Sequence, residues 1–399
     1  MARVLLAWEL GDGFGHVTRL VPIARRLRQA GHECVFAMRG LDNAHTVLAS
    51  EGFRLIQAPY AVPRPLPGGS GGMQSFGDIL AAVGFADPRR LDALASGWRS
   101  LYDLLDVRLV VADYAPGACV AAYGRLPVVN IGDGFVLPPG HLDHMPPFRD
   151  KPPAVPEESL VAAVQAVQRR HGRPVPPNLP AVLAGAGQFV VTLPELDFYG
   201  ASRREPALGP LLPLPAPLDE EPQEDYFGYL SLGYPHTRKV LDGLAASGRR
   251  GRIYLRDATP AQMQEYRAKG LDIHDRPQPM REAVGRAAVV VHHGGVGTVE
   301  TVLALGRPHL LVPRHQEQRG NATALGAMKV AVSMRSGGVF EAEHVAQALD
   351  HLLNEPVYRT NAAAKARDLA AAGPSDALER IVARCLELVE RRDPAGGAQ

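Results

Sequence analysis

The segment 287–324 constrains the fold of this chain more than any other. An apolar run at 289–291 leads into a short turn rich in histidine and glycine, and a helical pattern then extends from Thr298 to about Leu305. A second apolar run follows at 309–312. Short buried strands that alternate with helices are typical of a parallel sheet covered by helices. The segment therefore predicts an α/β domain.

The turn between the first strand and the helix predicts an anion site. Three of the four residues from Gly294 to Gly297 are glycines, so a ligand can approach the backbone closely. The N–H groups at the start of the following helix point into the same space and add the positive end of the helix dipole. His293 and the Thr298 hydroxyl add side-chain donors. The favoured ligand is a phosphate or a diphosphate.

Two further polar residues indicate what the diphosphate carries. Glu317 and Gln318 lie in a polar segment, 314–321, which follows the second apolar run and which we expect to form a loop. Neighbouring parallel strands end at the same edge of a sheet, so this segment and the turn should lie close together. A carboxylate repels a second phosphate, but it accepts hydrogen bonds from the hydroxyls of a sugar. Together these features predict a site for a sugar attached to a diphosphate.

Four elements of this region follow one another in a characteristic order and spacing. They are Pro277-Gln278, His293-x-Gly295-x-Gly297-Thr298, Gly306-x-Pro308 and Glu317-Gln318. They resemble the donor-binding segment of the UDP-glycosyltransferase family, the inverting enzymes of glycosyltransferase family 1 with the two-domain GT-B fold. The resemblance implies a set of donor-binding residues: Gly15, Ser231, Gln278, His293, Gly295, Val296, Gly297, Thr298, Glu317 and Gln318.

The sequence departs from this family at two positions that would contact the nucleoside. Asp275 stands where plant members stack a tryptophan on the base. Thr301 stands where the family has a ribose-binding glutamate, and Glu300 lies one place earlier. These departures leave the choice between a UDP sugar and a dTDP sugar open.

A second glycine-rich turn lies near the N-terminus. An apolar strand leads into it, and His16 opens the helix that follows, as in a doubly wound domain. His16 interrupts the glycine pattern that a dinucleotide-binding turn requires. The Gly-Phe-Gly-His sequence that ends at His16 resembles the family's catalytic turn, which implies that His16 is the base. Glu9 and Asp12, in the same turn, remain alternative bases.

Asp113 and Ser231, near the ends of two other strands, complete the candidate site. Asp113 follows an apolar strand, and a carboxylate at the carboxyl end of a parallel strand lies on the ligand-facing edge. The resemblance implies that Asp113 hydrogen-bonds the histidine base and stabilises its imidazolium, although the residue could instead cap the next helix. Ser231 begins a Ser-Leu-Gly turn that resembles the family's donor side. Arg19 stands where many members have a small or apolar residue, and no role is assigned to it.

The length of 399 residues fits two domains better than one. A proline-rich stretch, 206–222, divides the chain and reads as an interdomain linker. We expect an N-terminal acceptor-binding domain at 1–205 and a C-terminal nucleotide-sugar donor domain at 223–373. The resemblance implies that 374–399 forms a helix crossing back to the first domain, plus a tail. It also implies the fold class, α/β, with two Rossmann-like doubly wound parallel-sheet domains facing a central cleft.

Composition and charge argue against several other classes of protein. A net charge of +1 gives no reason to expect nucleic acid or an acidic membrane as partner. No apolar run approaches the ~20 residues of a transmembrane helix, and the N-terminus reads as a strand rather than a targeting peptide. We therefore expect a cytoplasmic protein; its many Ala, Gly and Pro residues are typical of a bacterial genome rich in GC. Three separated cysteines fit buried thiols, and His141 and His144 fit a polar loop better than a metal site.

The expected function is an inverting, metal-independent transfer of a hexose from a UDP or dTDP sugar to a hydroxyl of a small-molecule acceptor. No cofactor is expected besides the nucleotide sugar as co-substrate. An apolar or aromatic acceptor is indicated by residues in or beside the long loops: Met73, Phe76, Phe85 and Phe135. Two alternatives stay open, a catalytically silent GT-B subunit that binds nucleotide and a non-hydrolysing nucleotide-sugar epimerase.

Overall fold

The chain forms two compact units. The structure, a computed structural model, describes residues 1–66, 72–335 and 339–391. Unit 1 consists of Met1–Leu211 and Ser375–Gln399, and unit 2 consists of Leu212–Pro374. The boundary at Leu211 falls inside the predicted linker, 206–222. The stretch 59–76, which is rich in Pro and Gly and predicts a long surface loop, lies in part outside the described residues, and so does the predicted C-terminal tail.

Unit 1 contains a six-stranded sheet with the strand order β3-β2-β1-β4-β5-β6, and every pair in it is parallel. Its strands are β1 (Arg3–Trp8), β2 (Glu33–Met38), β3 (Arg54–Gln57), β4 (Val107–Asp113), β5 (Val128–Gly132) and β6 (Gly187–Val190). Its helices before the boundary are α1 (Gly15–Gln29), α2 (Leu41–Leu48), α3 (Phe76–Leu80), α4 (Pro88–Leu104), α5 (Pro116–Ala122), α6 (Glu157–Arg170) and α7 (Leu179–Ala184).

Both faces of this sheet are covered, which explains why β1 is apolar at nearly every position. Leu5 and Ala7 face the core that contains Trp98 of α4. Leu6 and Trp8 face the opposite core, which is formed by α1 and by a helix from the C-terminal end of the chain, Ala377–Glu390. Two cysteines of that core, Cys34 and Cys385, are free thiols, and burial raises the pKa of each to about 12.

Unit 2 repeats the same arrangement. Its sheet has the order β12-β11-β10-β7-β8-β9 and is also parallel throughout. Its strands are β7 (Glu224–Ser231), β8 (Gly251–Arg256), β9 (Asp272–His274), β10 (Ala287–His292), β11 (His309–Leu311) and β12 (Ala331–Ser333). Its helices are α8 (Thr237–Ala246), α9 (Pro260–Ala268), α10 (Met280–Gly285), α11 (Val296–Leu305), α12 (Gln316–Ala327), α13 (Ala342–Asn354) and α14 (Pro356–Ala372), so the C-terminal helix Ala377–Glu390 is α15.

Each sheet places its first and fourth strands side by side, and ligands of such sheets bind beyond the carboxyl ends of these two strands. In unit 1 the pairing of β1 with β4 sets Trp8 beside Asp113. In unit 2 the pairing of β7 with β10 sets Tyr229 beside His292. The predicted α/β class with two doubly wound parallel sheets is confirmed. None of the helices that the structure describes has the length and apolarity to cross a membrane.

The predicted loop at 314–321 was wrong, because α12 begins at Gln316. The start of this helix is polar, so it lacks the apolar periodicity by which helices are recognised in a sequence. A side-chain bond replaces that signal: the Oε1 atom of Gln318 accepts a hydrogen bond from the backbone N–H of Arg314 at 2.8 Å. A bond from the third residue of a helix back to the preceding chain stabilises the helix start.

We expect Gly243→Ala to destabilise unit 2, because α8 packs closely against α13. A Cβ atom at Gly243 would lie 2.4 Å from the carbonyl oxygen of Ala342 and 2.7 Å from Cβ of Val345. Overpacking of this kind costs about 1–3 kcal/mol. Chemical denaturation followed by circular dichroism measures the loss.

Gly326→Ala is the matched control, since this glycine also lies in a helix but a Cβ there would meet nothing within 4 Å. The control should be neutral or stabilising by up to about 1 kcal/mol. Equal losses in both variants would contradict the close packing of α8 against α13.

Candidate functional site

His16 and Asp113 meet at the carboxyl edge of the first sheet. His16 lies in the first turn of α1, and Asp113 is the last residue of β4. The imidazole Nδ1 is 2.9 Å from Oδ1 of Asp113, and both side chains are buried. A carboxylate can only accept, so Nδ1 carries the hydrogen and Nε2 keeps its lone pair. The ring also stacks on Trp8 with a centroid separation of 5.2 Å, which further restricts its orientation.

Gly11 leaves room beside the Nε2 atom of His16. A Cβ atom at Gly11 would lie 2.7 Å from Nε2 and 3.2 Å from the ring of Tyr114. The backbone of Gly11 also has φ +85°, which side chains rarely adopt. The turn thus leaves one imidazole nitrogen open while the other is held by a carboxylate, an arrangement suited to a general base.

Arg19 lies one helical turn after His16 and connects two carboxylates. Its Nε is 3.4 Å from Oδ2 of Asp113, and its Nη2 is 3.4 Å from Oδ2 of Asp133. Asp133 follows β5, and its Oδ1 accepts the backbone N–H groups of Phe135 and Val136. Sequence reasoning missed Asp133, although the signal that identified Asp113, a carboxylate just after an apolar strand, was present there too.

The side chains of the two alternative bases, Glu9 and Asp12, accept hydrogen bonds from backbone N–H groups. Glu9 is buried, and its Oε2 accepts the N–H groups of Gly117 and Ala118 at 2.8 Å and 3.2 Å. Burial raises the pKa of Glu9 to about 8, although these backbone donors act in the opposite direction. Glu9 therefore serves the start of α5, the capping role that was considered for Asp113. Asp12 is exposed, and its Oδ1 accepts the N–H of Gly13.

Aromatic rings surround one side of the His16–Asp113 pair. Tyr114 has φ +52°, an uncommon value for a residue other than glycine, and its ring lies 5.9 Å from those of His16 and Phe76. Phe76 and Tyr114 also line a small cavity, together with Cys119, Asn130 and Leu137 among others. Of the remaining residues predicted to contact the acceptor, Phe135 is buried in a cluster with other phenylalanines, Phe85 is in the core, and Met73 is half-buried.

The glycine turn of unit 2 presents open backbone donors. Gly294 has φ +87°, and α11 follows with Gly295 as its N-cap. The first helical bond runs from Val299 to the carbonyl of Gly295, so the N–H groups of residues 295–298 have no partner within the helix. A Cβ atom at Gly295 or Gly297 would meet nothing within 4 Å, so this side of the turn is open. Such a helix start is suited to bind an anion, and Val296 and Thr298 are part of it.

The side chain of His293 does not face a ligand in the way we expected. Its Nε2 accepts the backbone N–H of Ser231 at 3.0 Å, and its Nδ1 lies 3.0 Å from the carbonyl oxygen of Val312. The second bond requires a hydrogen on Nδ1, so neither nitrogen has a hydrogen left for a phosphate. The expectation that His293 donates to the diphosphate is therefore corrected. The ring instead holds the chain ends after β7 and β11 against the turn.

The imidazole of His293 is neutral near pH 7. Burial lowers its pKa to about 4, although the hydrogen bond to the carbonyl of Val312 raises it. The nearby side chains of Arg314, Arg256 and His315 lower the pKa further. Ser231 is also engaged, because its hydroxyl donates to Oδ2 of Asp257 at 2.6 Å.

The buried side chain of His292 hydrogen-bonds to the backbone of the turn. Its Nδ1 accepts the N–H of Gly294 at 3.1 Å, and its Nε2 lies 2.9 Å from Nδ1 of His309. Both imidazoles are buried. Burial lowers the pKa of His309 to about 3 and that of His292 well below its ordinary value.

Glu317 and Gln318 lie next to this turn, in the first turn of α12. A Cβ at Gly294 would be 3.4 Å from the backbone oxygen of Gln318, which shows how closely the two segments pack. Asn321 adds a bond from its side-chain amide to the carbonyl of Gly294 at 2.9 Å. Because Oε1 of Gln318 accepts the N–H of Arg314, its amide nitrogen is the group left for a ligand.

The residues predicted to contact the nucleoside lie on two segments, the chain after β9 and the helix α11. Gln278 lies after the edge strand β9, with its amide donating to the carbonyl of Arg276, and Asp275 is exposed. Thr301 donates to the carbonyl of Gly297 at 2.8 Å, and Glu300 is buried. No clusters of three or more potential metal ligands occur among the described residues.

We expect unit 2 to lose stability in mild acid. The unfolded chain binds protons on histidine below its ordinary pKa of about 6.5, whereas folded His293 and His309 do so only near 4 and 3. The folded form is therefore favoured above pH 6.5, and each buried histidine removes about 1.4 kcal/mol per pH unit below it. Urea titrations at several values between pH 7.5 and pH 5 measure this slope.

Replacement of His309 by Gln should reduce the slope by about one proton. Replacement of the exposed His45 by Gln is the control and should not change it. A stability that is flat between pH 6.5 and pH 5 would contradict the burial of neutral histidines.

A protein-family model and several known proteins match part of the chain. A family model described as erythromycin biosynthesis protein CIII-like, C-terminal domain, matches residues 275–388. Vancomycin aglycone glucosyltransferase of Amycolatopsis orientalis is 33% identical over 130 residues, 31% of this chain and 30% of that protein. Erythronolide mycarosyltransferase of Saccharopolyspora erythraea is 35% identical over 116 residues, 28% of this chain and 26% of that protein. The chain thus matches less than a third of the length of either relative.

Solved structures share the fold along nearly the whole chain. Spinosyn forosaminyltransferase SpnP has a TM-score of 0.61 at 20% identity and covers 98% of this chain and 99% of its own. The glycosyltransferase VinC, in complex with dTDP, has a TM-score of 0.62 at 18% identity, with 98% and 100% covered. The calicheamicin glycosyltransferase CalG4 has a TM-score of 0.66 at 17% identity, with 98% and 99% covered. At such identities the likeness shows the fold, which is GT-B. The EryCIII-like C-terminal domain at 275–388 and the GT-B fold of the whole chain thus make this chain similar to glycosyltransferases.

Proposed function

We propose that this chain is a glycosyltransferase that moves a sugar from a UDP or dTDP sugar to a hydroxyl of a small-molecule acceptor, with inversion at the anomeric carbon. The observation that carries the proposal is the His16–Asp113 pair, with Nδ1 held at 2.9 Å and Nε2 left open. The names of the relatives support the reaction class, since one is a glucosyltransferase and another a mycarosyltransferase. The dTDP complex of VinC supports a nucleoside diphosphate as the leaving group.

In the proposed reaction, Nε2 of His16 takes the proton of the acceptor hydroxyl while the oxygen attacks the anomeric carbon. The bond from that carbon to the diphosphate breaks, and its electron pair leaves with the diphosphate. Asp113 accepts the hydrogen bond from Nδ1 throughout and stabilises the imidazolium that forms. No group other than donor, acceptor and His16 is needed to balance the step, so we propose that it proceeds without a metal.

The charges around His16 favour this proton transfer. Asp113 and Asp133 are both buried, and Arg19 lies between them. The contacts of this cluster join His16, two carboxylates and one guanidinium. A proton on His16 would therefore lie next to the carboxylate of Asp113, which stabilises an imidazolium in a buried site.

On the donor side, we propose that the leaving diphosphate binds the open N–H groups of residues 295–298 and the hydroxyl of Thr298. Preorganised donors of this kind are effective where negative charge develops during a reaction. Glu317 and the amide nitrogen of Gln318 would bind hydroxyls of the sugar. On the acceptor side, the rings of Phe76 and Tyr114 beside His16 suit an apolar or aromatic molecule.

His16→Ala should lower kcat by about 10²–10⁴, because the proton then has no acceptor. Binding of UDP or dTDP should be unchanged. Release of nucleoside diphosphate from UDP-glucose or dTDP-glucose, in the presence of phenolic acceptors, measures the first effect, and calorimetry measures the second. Asp12→Asn is the control, because Asp12 is an exposed carboxylate of the same turn. If His16→Ala retains activity while Asp12→Asn loses it, the proposed base is wrong.

Arg19 should act through Asp113 rather than on the substrate. We expect Arg19→Met to lower kcat about tenfold with little change in the KM for the donor, since Asp113 loses its second partner. In an Asp113→Asn background the same substitution should have almost no further effect. Arg19→Lys should restore part of the activity. Additive losses in the double variant would indicate a structural role for Arg19 instead.

A further inference from the structure

The leaving diphosphate of the proposed reaction needs positive charge, whether or not a metal accompanies it. His293 cannot supply this charge, because both of its nitrogens hold backbone partners and its ring is neutral. The start of α11 contributes only the partial charge of a helix dipole. A residue near the turn that carries a full positive charge would add to these donors.

Arg314 lies near this turn, at the carboxyl edge of the sheet of unit 2. It follows β11, and its backbone N–H is held by Oε1 of Gln318 at 2.8 Å. Its guanidinium carbon lies over the ring of Tyr234, 5.9 Å from the centroid. The same tyrosine ring meets His293 edge-on, with a centroid distance of 5.9 Å. Arg314, Tyr234 and His293 thus form one contact chain at the carboxyl edge of the sheet.

A hydrogen bond also links Tyr234 to the backbone next to Arg314. The hydroxyl of Tyr234 donates to the carbonyl oxygen of Pro313 at 3.4 Å, one residue before Arg314. The Tyr234 ring is therefore held against both the arginine and the histidine. A guanidinium lying over a tyrosine keeps its N–H edge available to other partners, because a ring face contacts the flat side of the group.

Among the described residues no carboxylate lies within 4.0 Å of the guanidinium nitrogens of Arg314, so its charge has no ion-pair partner there. Arg256, the other arginine near His293, differs in this respect, since its Nε lies 3.2 Å from Oδ2 of Asp257. The guanidinium of Arg314 is one of several nearby charges that lower the pKa of His293, a residue of the turn. An uncompensated cation beside a helix start is suited to an anionic ligand.

We propose that Arg314 binds the diphosphate of the donor and stabilises the negative charge that develops on it during transfer. The inference rests on the proposed function for the identity of the ligand, a nucleoside diphosphate. Arginine suits this role better than lysine, because its planar group can donate two parallel hydrogen bonds to phosphate oxygens. The residue lies in the segment that the sequence predicted to be a loop, and its position became clear only with the start of α12.

Calorimetric titration tests the proposal with three probes, dTDP, dTMP and thymidine, and with the matching uridine series. The variants are Arg314→Gln, Arg314→Lys and the control Arg250→Gln. Arg250 lies just before β8, at the opposite edge of the same sheet, so the control removes the same charge away from the turn. All variants are first compared with wild type by thermal unfolding.

We expect Arg314→Gln to weaken dTDP or UDP binding about 10–100-fold, with a smaller dependence of affinity on salt and no change for the nucleoside. Arg314→Lys should lose less, and Arg250→Gln should behave as wild type. In the transfer assay Arg314→Gln should also lower kcat, because the charge matters most as the diphosphate leaves.

The outcomes separate this inference from the proposed function. If wild type binds a nucleoside diphosphate and Arg314→Gln binds it equally well, the role of Arg314 is overturned and the proposed function stands. An equal loss for dTDP and for thymidine in a folded variant also overturns it, because the effect is then not on the diphosphate. If wild type binds no nucleoside diphosphate, both are overturned.

Discussion

The pairing of the first and fourth strands in each doubly wound sheet is the constraint on which both candidate sites depend. In unit 1 it brings the turn after β1 next to the end of β4, and His16 reaches Asp113 at 2.9 Å. In unit 2 it brings the end of β7 next to the turn after β10, and Ser231 reaches His293 at 3.0 Å. Because parallel strands end at a common edge, residues about 60 to 100 positions apart in sequence become neighbours.

The same topology gives the two histidines different chemistry. His16 has one nitrogen on a carboxylate and one nitrogen open, because Gly11 leaves the space beside Nε2 free. His293 has both nitrogens on backbone groups, so it is a neutral structural link. The difference lies in what surrounds each ring, a buried carboxylate in one unit and peptide groups in the other. Positive charge near the second turn comes from arginines such as Arg314 and Arg256 instead.

Several parts of the structure could be read from the sequence because their signals are local. Apolar runs next to glycine-rich turns predicted strands and helices of both sheets, such as β1 with α1 and β10 with α11, and the position of Asp113 after a strand predicted its place at the ligand-facing edge. The start of α12 was missed because its first turn is polar and is stabilised by a side-chain bond from Gln318 rather than by an apolar face. Arg19 was noticed but had no role until the structure brought it next to Asp113 and Asp133.

The sequence by itself determined the class of fold, and it indicated many residues of the candidate sites, His16 and Asp113 among them, but not Asp133 or Arg314. Periodicity, glycine turns and strand ends are properties of short segments, and they do not depend on what packs against them. The tertiary structure alone decided which atoms of those residues remain available to a ligand. The open nitrogen of His16, the occupied nitrogens of His293, the inward position of Glu9 and the uncompensated charge of Arg314 all depend on partners distant in sequence. Hydrogen bonds and charges act over a few ångströms, and only the folded chain sets those distances.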